Sequence, residues 1–303
     1  MNKKTFSLIC AMSCSFIWGT GFVAQDMGMD FIGPYTFTSG RMFLGFLALL
    51  PFFFIFEGKK VQKSNLDLKK ILAYLLFLGF LLFGGNALQQ ISLLYTDVAN
   101  AAVFTIFYVL IVPIVSYFLF SKKIHWSIWP AVLACLIGGL FLSELNNLSV
   151  RYGDVLVIIG SFFWAFHIIF ISKFLKIFNF PITIAMSQCL FGAMFSFIPA
   201  IIYENISVTN ILMETNELLY AGVLSSGIAY LLQAYGQQNL SPAPVAIILS
   251  LEGVFAGIFA WIILDQHLNE FKIFGIILIL CAVIFSQLSP MYDKKRYNRN
   301  VKK

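Results

Sequence analysis

Ser15-Phe16-Ile17-Trp18 and Ser161-Phe162-Phe163-Trp164 stand 146 positions apart, each inside an apolar run. Two further matches follow in the same order. Pro34 and Pro181, 147 apart, each open the next apolar run. Tyr95-Thr96-Asp97-Val98-Ala99-Asn100-Ala101-Ala102 aligns with Asn239-Leu240-Ser241-Pro242-Ala243-Pro244-Val245-Ala246 at an offset of 144. Nearly constant spacing reads as an internal duplication. Its boundary falls around 144–153, in the polar stretch Glu144 to Gly153.

The surrounding composition says what is duplicated. Of 303 residues, 60% are hydrophobic and 11% charged, with a mean hydropathy of +0.87. A soluble domain carries about twice that charge, and its core could not hide so much apolar side chain. Disorder, collagen-like repeats and a disulfide-rich secreted scaffold are excluded by the same figures. A spanning helix needs about 20 apolar residues to cross a hydrocarbon core about 30 Å thick. Ten segments meet that length: 5–24, 34–56, 71–93, 98–120, 126–143, 154–173, 181–203, 218–239, 243–264 and 271–288. No period-2 alternation suggests a membrane β-barrel. The fold class expected is all-α integral membrane, ten transmembrane helices as two inverted five-helix repeats. The repeats cover 5–143 and 153–288, and 289–303 forms a basic cytoplasmic tail.

Inversion follows from the odd number of spans in each half, and the basic residues agree with it. With the N-terminus inside, Lys3, Lys4, Lys59, Lys60, Lys63, Lys69, Lys70, Lys122, Lys123, Lys173, Lys176, Lys294, Lys295, Arg296, Arg299, Lys302 and Lys303 are cytoplasmic. These are 17 of the 20 basic residues, while Arg151 and Lys272 lie outside and Arg41 falls within a span. The positive-inside rule therefore places both termini in the cytoplasm. The net charge of +6 reads as topology and attraction to anionic lipid, and the short tail excludes a nucleic-acid partner. Lys3 and Lys4 begin a retained first span, since no small-residue cleavage site follows. Cys10, Cys14, Cys135, Cys189 and Cys281 all fall in spans without metal spacing, and are expected as buried free thiols.

The motifs resemble those of the drug/metabolite transporter superfamily, EamA type, over about 5–288. The residues that carry the resemblance are Phe16-Ile17-Trp18-Gly19-Thr20, Arg41 following Pro34, Tyr95-Thr96 through Ala101-Ala102, and Phe107-Tyr108-Val109-Leu110-Ile111-Val112-Pro113. The second half adds Gly153-Asp154, Phe163-Trp164-Ala165, Ser241-Pro242 and Ser250-Leu251-Glu252-Gly253-Val254-Phe255-Ala256. The resemblance implies a carrier of small organic metabolites in a prokaryotic plasma membrane, commonly an exporter. Two departures stand out. Lys122 and Gln266 occupy the places after the fourth and ninth segments where the family usually has Glu, and Gly253 follows Glu252 where Pro is frequent.

Inside a bilayer, polar side chains need a partner or a wet cavity, because a charge at mid-depth costs about 2.5–3.5 kcal/mol on insertion scales. Glu252, near the middle of the ninth segment, is either a substrate or proton-coupling carboxyl or a hydrogen-bonded packing residue. Arg41 either snorkels toward the outer surface or binds an anion. Asn86 and Gln90 are four apart, and Tyr230, Gln233 and Gln237 three and four apart, so each set shares a helix face. The third and eighth segments are equivalents, so the two faces are expected to line one cavity, with interhelical amide bonds as the competing reading. Trp18, Trp164, Tyr108 and His167 are candidate aromatic walls with polar tips, although packing alone explains any one of them. Gly253 with Gly257, and Gly222 with Ser226, allow close helix approach. Pro113 is a candidate hinge.

Three function classes are compatible with a polytopic membrane protein. Inverted repeats with a midplane polar site favour a secondary carrier working by alternating access. The partners expected are a small-molecule substrate, the lipid bilayer and a coupling proton or cation, with a homodimer allowed. The alternative is a membrane-embedded enzyme acting on a lipid-linked substrate. It lacks a His-Glu-x-x-His pair, a phosphate loop and an acid-rich metal loop, so no catalytic residue, metal or cofactor is expected. A channel lacks any filter-like loop or charged ring.

Overall fold

The structure is a computed structural model and describes residues 1–64, 67–120, 124–142, 151–264, 267 and 269–300. Among these residues there is no strand. In chain order the apolar helices are α1 (Lys3–Met27), α2 (Pro34–Gln62), α3 (Leu68–Ser92), α4 (Asn100–Leu119), α5 (Ile128–Leu142), α6 (Tyr152–Ile177), α7 (Pro181–Tyr203), α8 (Thr215–Asn239), α9 (Pro242–Ile263) and α10 (Glu270–Ser289). Nine of them are long and apolar enough to cross a bilayer. The exception is α5, whose 15 residues reach about 22 Å. The helix containing α10 runs on to Asn300, so the expected tail is helical over most of its length. The sequence readings placed on Lys122, Lys123, Glu144, Gln266, Lys302 and Lys303 lie outside the described residues.

The two halves interlock. Helix α1 packs on α8 and α9, and its counterpart α6 packs on α3 and α4. Likewise α2 meets α8 as α7 meets α3, while α2–α7, α4–α9 and α5–α10 pair each helix with its own counterpart. Each of these contacts between the halves thus has a partner under their exchange. One core mixes Met42, Leu82 and Val109 of the first half with Ala165, Ala185 and Ile247 of the second. Close approach comes from small residues: a Cβ added to Gly138 on α5 would lie 2.8 Å from the Gly275 carbonyl on α10.

A pair of carboxylates shows the inversion directly. Glu57, at the far end of α2, accepts from Ile182 N at 3.1 Å, Thr183 N at 2.7 Å and Thr183 Oγ1 at 2.7 Å. Glu204, just past α7, accepts from Tyr35 N at 2.8 Å, Thr36 N at 2.8 Å and Thr36 Oγ1 at 2.6 Å. Each thus caps the first turn of the other helix, where unpaired N–H groups and the dipole favour negative charge. Glu57 and Glu204 are 147 apart, as are Thr36 and Thr183. Equivalent helices that cap one another end to start must run antiparallel, so the second half is inverted.

The helices α4 and α9 are both interrupted. In α4 the bonds Ile106 N→Val103 O, Phe107 N→Phe104 O and Val109 N→Ile106 O replace regular helical bonding. In α9 the break is at Ser250, with Gly253 N bonded to Ser250 O at 3.2 Å. Ile106 and Ser250 are 144 apart. The discontinuity in α4 therefore lies ahead of Pro113, and the counterpart of Pro113 in α9 is Gly257. A proline ring does not explain a break that both halves share.

Of the five cysteines, four are buried, but Cys281 is exposed on α10. Helix α10 has one of the least buried spans, so its outward thiol meets the apolar surroundings rather than the core. The buried-thiol expectation is corrected there.

The reciprocal caps carry a prediction. Glu57→Gln and Glu204→Gln should each lower unfolding free energy in mixed micelles by about 1–2 kcal/mol, since charge-assisted bonds weaken to neutral ones. The caps lie about 30 Å apart along α2, so the double variant should lose the sum. A double variant no weaker than either single one would mean that the caps are not independent.

Candidate functional site

The polar side chains of the two halves converge on a cavity at their seam. Its walls include Trp18 on α1, Arg41 on α2, Asn86 on α3, Tyr108 on α4, Trp164 on α6, Tyr230 and Gln233 on α8, and Glu252 on α9. The free space is about 30 Å³, room for about two water molecules. Anything larger fits only if the helices part.

Two hydrogen bonds cross the seam between counterparts. Asn86 Nδ2 donates to Tyr230 Oη at 3.1 Å, and Tyr108 Oη donates to Glu252 Oε1 at 3.0 Å. Each pair is 144 residues apart, the offset that relates α3–α4 to α8–α9, so both lie on the pseudo-two-fold axis. The breaks in α4 and α9 fall two residues before Tyr108 and Glu252, which sets the two side chains at the kink. Trp18 and Trp164, also counterparts, face each other with ring centroids 6.2 Å apart. Tyr230 lies 5.2 Å from Trp18 and 6.5 Å from Trp164. These three aromatic rings, one carboxyl and one guanidinium thus line the same cavity.

Arg41 does not snorkel. It is 2% exposed, and its Nη2 donates to Asn86 Oδ1. The geometry of α2 accounts for this: Arg41 sits on the face that packs on α8 and the seam, not on the lipid face that carries Phe43 and Leu47. Several buried polar atoms around the cavity have no protein partner: Arg41 Nε, Trp164 Nε1, Gln25 Oε1 and both amide atoms of Gln233. Buried polar groups are satisfied in the great majority of cases, so these five atoms are donors and acceptors available to water or to a polar molecule in the cavity.

Three candidates are brought elsewhere. Gln90 donates to Gln25 O at 2.8 Å, His167 Nε2 bonds Gln188 Oε1 at 2.9 Å, and Gln237 donates to Ile168 O at 2.6 Å and Ser172 Oγ at 2.8 Å. None of the three lines the cavity; each ties helices together. In their place Gln25, Gln89, Thr105 and Ser225 contribute polar wall. Gln89 and Gln90 were equally compatible with Asn86 by spacing, since positions three and four apart both share a face. Packing against α1 chose between them. The Glu57 and Glu204 caps have a sequence signal in their 147-residue spacing, but only the packing of α2 on α7 sets each carboxylate against the other helix start.

The two halves hold the same groups in different states. Trp18 Nε1 donates to Ser225 O on α8 at 3.0 Å, whereas its counterpart Trp164 Nε1 has no protein partner. Ser15 Oγ donates across the seam to Ile248 O on α9 at 3.0 Å, whereas its counterpart Ser161 Oγ stays on its own helix, at 2.6 Å from Ile158 O. Helix α1 is latched to the opposite half, and α6 lacks both of these latches.

Known proteins agree with this architecture. The EamA-like transporter family matches residues 5–144 and 151–288. An uncharacterized transporter of Archaeoglobus fulgidus is 30% identical over 290 residues, covering 94% of this chain and 87% of its own. The uncharacterized transporter YoaV of Bacillus subtilis is 23% identical over 91% of this chain and 94% of its own. A solved crystal structure at 14% identity superposes with a TM-score of 0.75, over 93% of this chain and 96% of the other, and shares the fold. With both halves matched in full, the chain belongs to the EamA-like transporter family, as an EamA-type permease of the drug/metabolite transporter superfamily.

Proposed function

We propose that this protein is a secondary carrier that moves small organic metabolites by alternating access through the cavity between its repeats. The observation that carries the reading is the meeting of Arg41, Glu252, Trp18 and Trp164 around one seam. A carboxyl, a guanidinium and several aromatic rings lining one cavity suit a molecule with a flat or apolar body and polar or charged groups. Amino acids, nucleobases and amines are the classes to test. The unequal latches of α1 and α6 support alternating access: exchanging the two states between halves would open the cavity to the other side. The lysine-rich ends, read by the positive-inside rule, support cytoplasmic termini, and the resemblance supports the plasma membrane of a prokaryotic cell as the working membrane. Direction is that of an exporter or exchanger.

The test is counterflow into liposomes holding purified protein. Saturable uptake of at least one amino acid, nucleobase or amine is expected, with Arg41→Lys reducing it at least about tenfold through loss of the planar donor fork. Protein-independent flux for the whole panel would end the carrier reading.

Glu252 is the group placed to couple transport to a proton, since it lines the cavity and its only hydrogen bond among the described residues is to Tyr108. Glu252→Gln keeps the shape and the acceptor oxygen but removes the exchangeable charge. Uptake by this variant should no longer respond to an imposed pH gradient, while counterflow without a gradient persists. A gradient response equal to wild type would assign coupling elsewhere.

A further inference from the structure

Among the described residues that line the central cavity, Arg41 is the one basic side chain and Glu252 the one acidic. Arg41 lies about two turns into α2, where Gly222 on α8 lets the two helices close up. A Cβ on Gly222 would stand 2.5 Å from Leu44 Cβ and 3.1 Å from the Arg41 carbonyl. The guanidinium stays charged, since arginine does not give up its proton inside a protein. A buried charge of this kind needs an opposite one beside it. The described residues do not supply it. Arg41 forms no ion pair among them, and Glu252 accepts from Tyr108 instead. Arg41 Nη2 meets the neutral amide oxygen of Asn86, and Nε has no protein partner.

Asn86 fixes the guanidinium without neutralising it. Its Nδ2 donates to Leu82 O at 2.8 Å and to Tyr230 Oη at 3.1 Å, which turns Oδ1 toward Arg41. An aspartate at this place would have balanced the charge; the amide orients it and leaves it unbalanced. The proton-coupling role proposed for Glu252 sharpens the point. Whenever Glu252 holds a proton, Arg41 is the one charge on the cavity wall. A cationic ligand would add to that charge, and a dianion would bring a second negative charge into a cavity that already holds Glu252.

We infer that the molecule received in this cavity is an organic monocarboxylate held by Arg41, with Asn86 as the positioning residue. A guanidinium presents its N–H groups in a planar fork that matches a carboxylate, and the unpaired Nε–H belongs to that fork. Trp18, Trp164 and Tyr230 offer apolar wall to an organic body, which a bare inorganic ion lacks. The inference rests on the carrier reading for its setting and narrows it. Amines and uncharged nucleobases are set aside, and amino acids enter by their carboxylate.

Purified full-length protein in phosphatidylcholine nanodiscs is titrated at constant ionic strength with acetate, hexanoate, hydrocinnamate and phenylalanine. The matching amides, hexylamine, phenethylamine and chloride serve as controls, and thermal unfolding is read throughout. A rise in Tm of about 2 °C or more is expected with at least one carboxylate and with none of the amides or amines. Arg41→Gln should abolish the shift. Asn86→Asp keeps the side-chain shape and supplies a carboxylate in place, so it should weaken carboxylate binding at least about tenfold and erase the preference over the matching amide. Stabilisation by no carboxylate, by carboxylate and amide alike, or by chloride alone would overturn the inference. So would an Asn86→Asp protein that binds carboxylates as tightly as wild type. Carboxylate-specific stabilisation without counterflow would support this site and end only the carrier reading.

Discussion

A polar group inside a bilayer must find its partner within the protein, because lipid offers none. In a doubled chain with an inverted second half, residues near the symmetry axis have an unusual source of partners: their own counterparts. Asn86 meets Tyr230, and Tyr108 meets Glu252, each pair 144 residues apart. Identical residues there would often fail. Two carboxylates, for example, would repel. Here the counterparts differ, and each contact is a donor facing an acceptor. The central cavity is the space these unequal pairs leave between the halves.

The remaining architecture serves that seam. The halves are not two separate bodies, since each helix next to the axis packs mainly on the opposite half. The carboxylate caps at both ends of the α2–α7 pair give it a fixed frame. The helices that line the cavity are less regular. Matching breaks at Ile106 and Ser250 place Tyr108 and Glu252 at kinks, and the Trp18 latch has no formed equivalent at Trp164. A symmetric frame around an unsymmetric lining is compatible with the alternating access proposed above, because well-packed interfaces move between discrete arrangements rather than deforming continuously.

Much of this was legible from residues alone. The number of apolar runs, the duplication and the inversion follow from chemistry that acts locally: every spanning segment must be apolar along its length, and an odd count per half dictates antiparallel copies. Arg41, Asn86, Tyr230 and Glu252 stood out because a polar residue in such a segment is costly. The chain also marked Trp18 and Trp164 through their matching spacing.

What the sequence could not decide was direction around each helix and distance across the seam. Gln89 and Gln90 are neighbours with equal chemistry, yet only packing against α1 put one on the cavity wall and the other on Gln25 O. His167 and Gln237 had the right residue type but met Gln188 and Ser172 first. Arg41 went inward because α2 turns that face to α8. Local composition determined that ten apolar segments must assemble as two opposed halves. Only the tertiary packing decided which polar side chains share a cavity, because a helix fixes the angle between its own residues but not what stands opposite them.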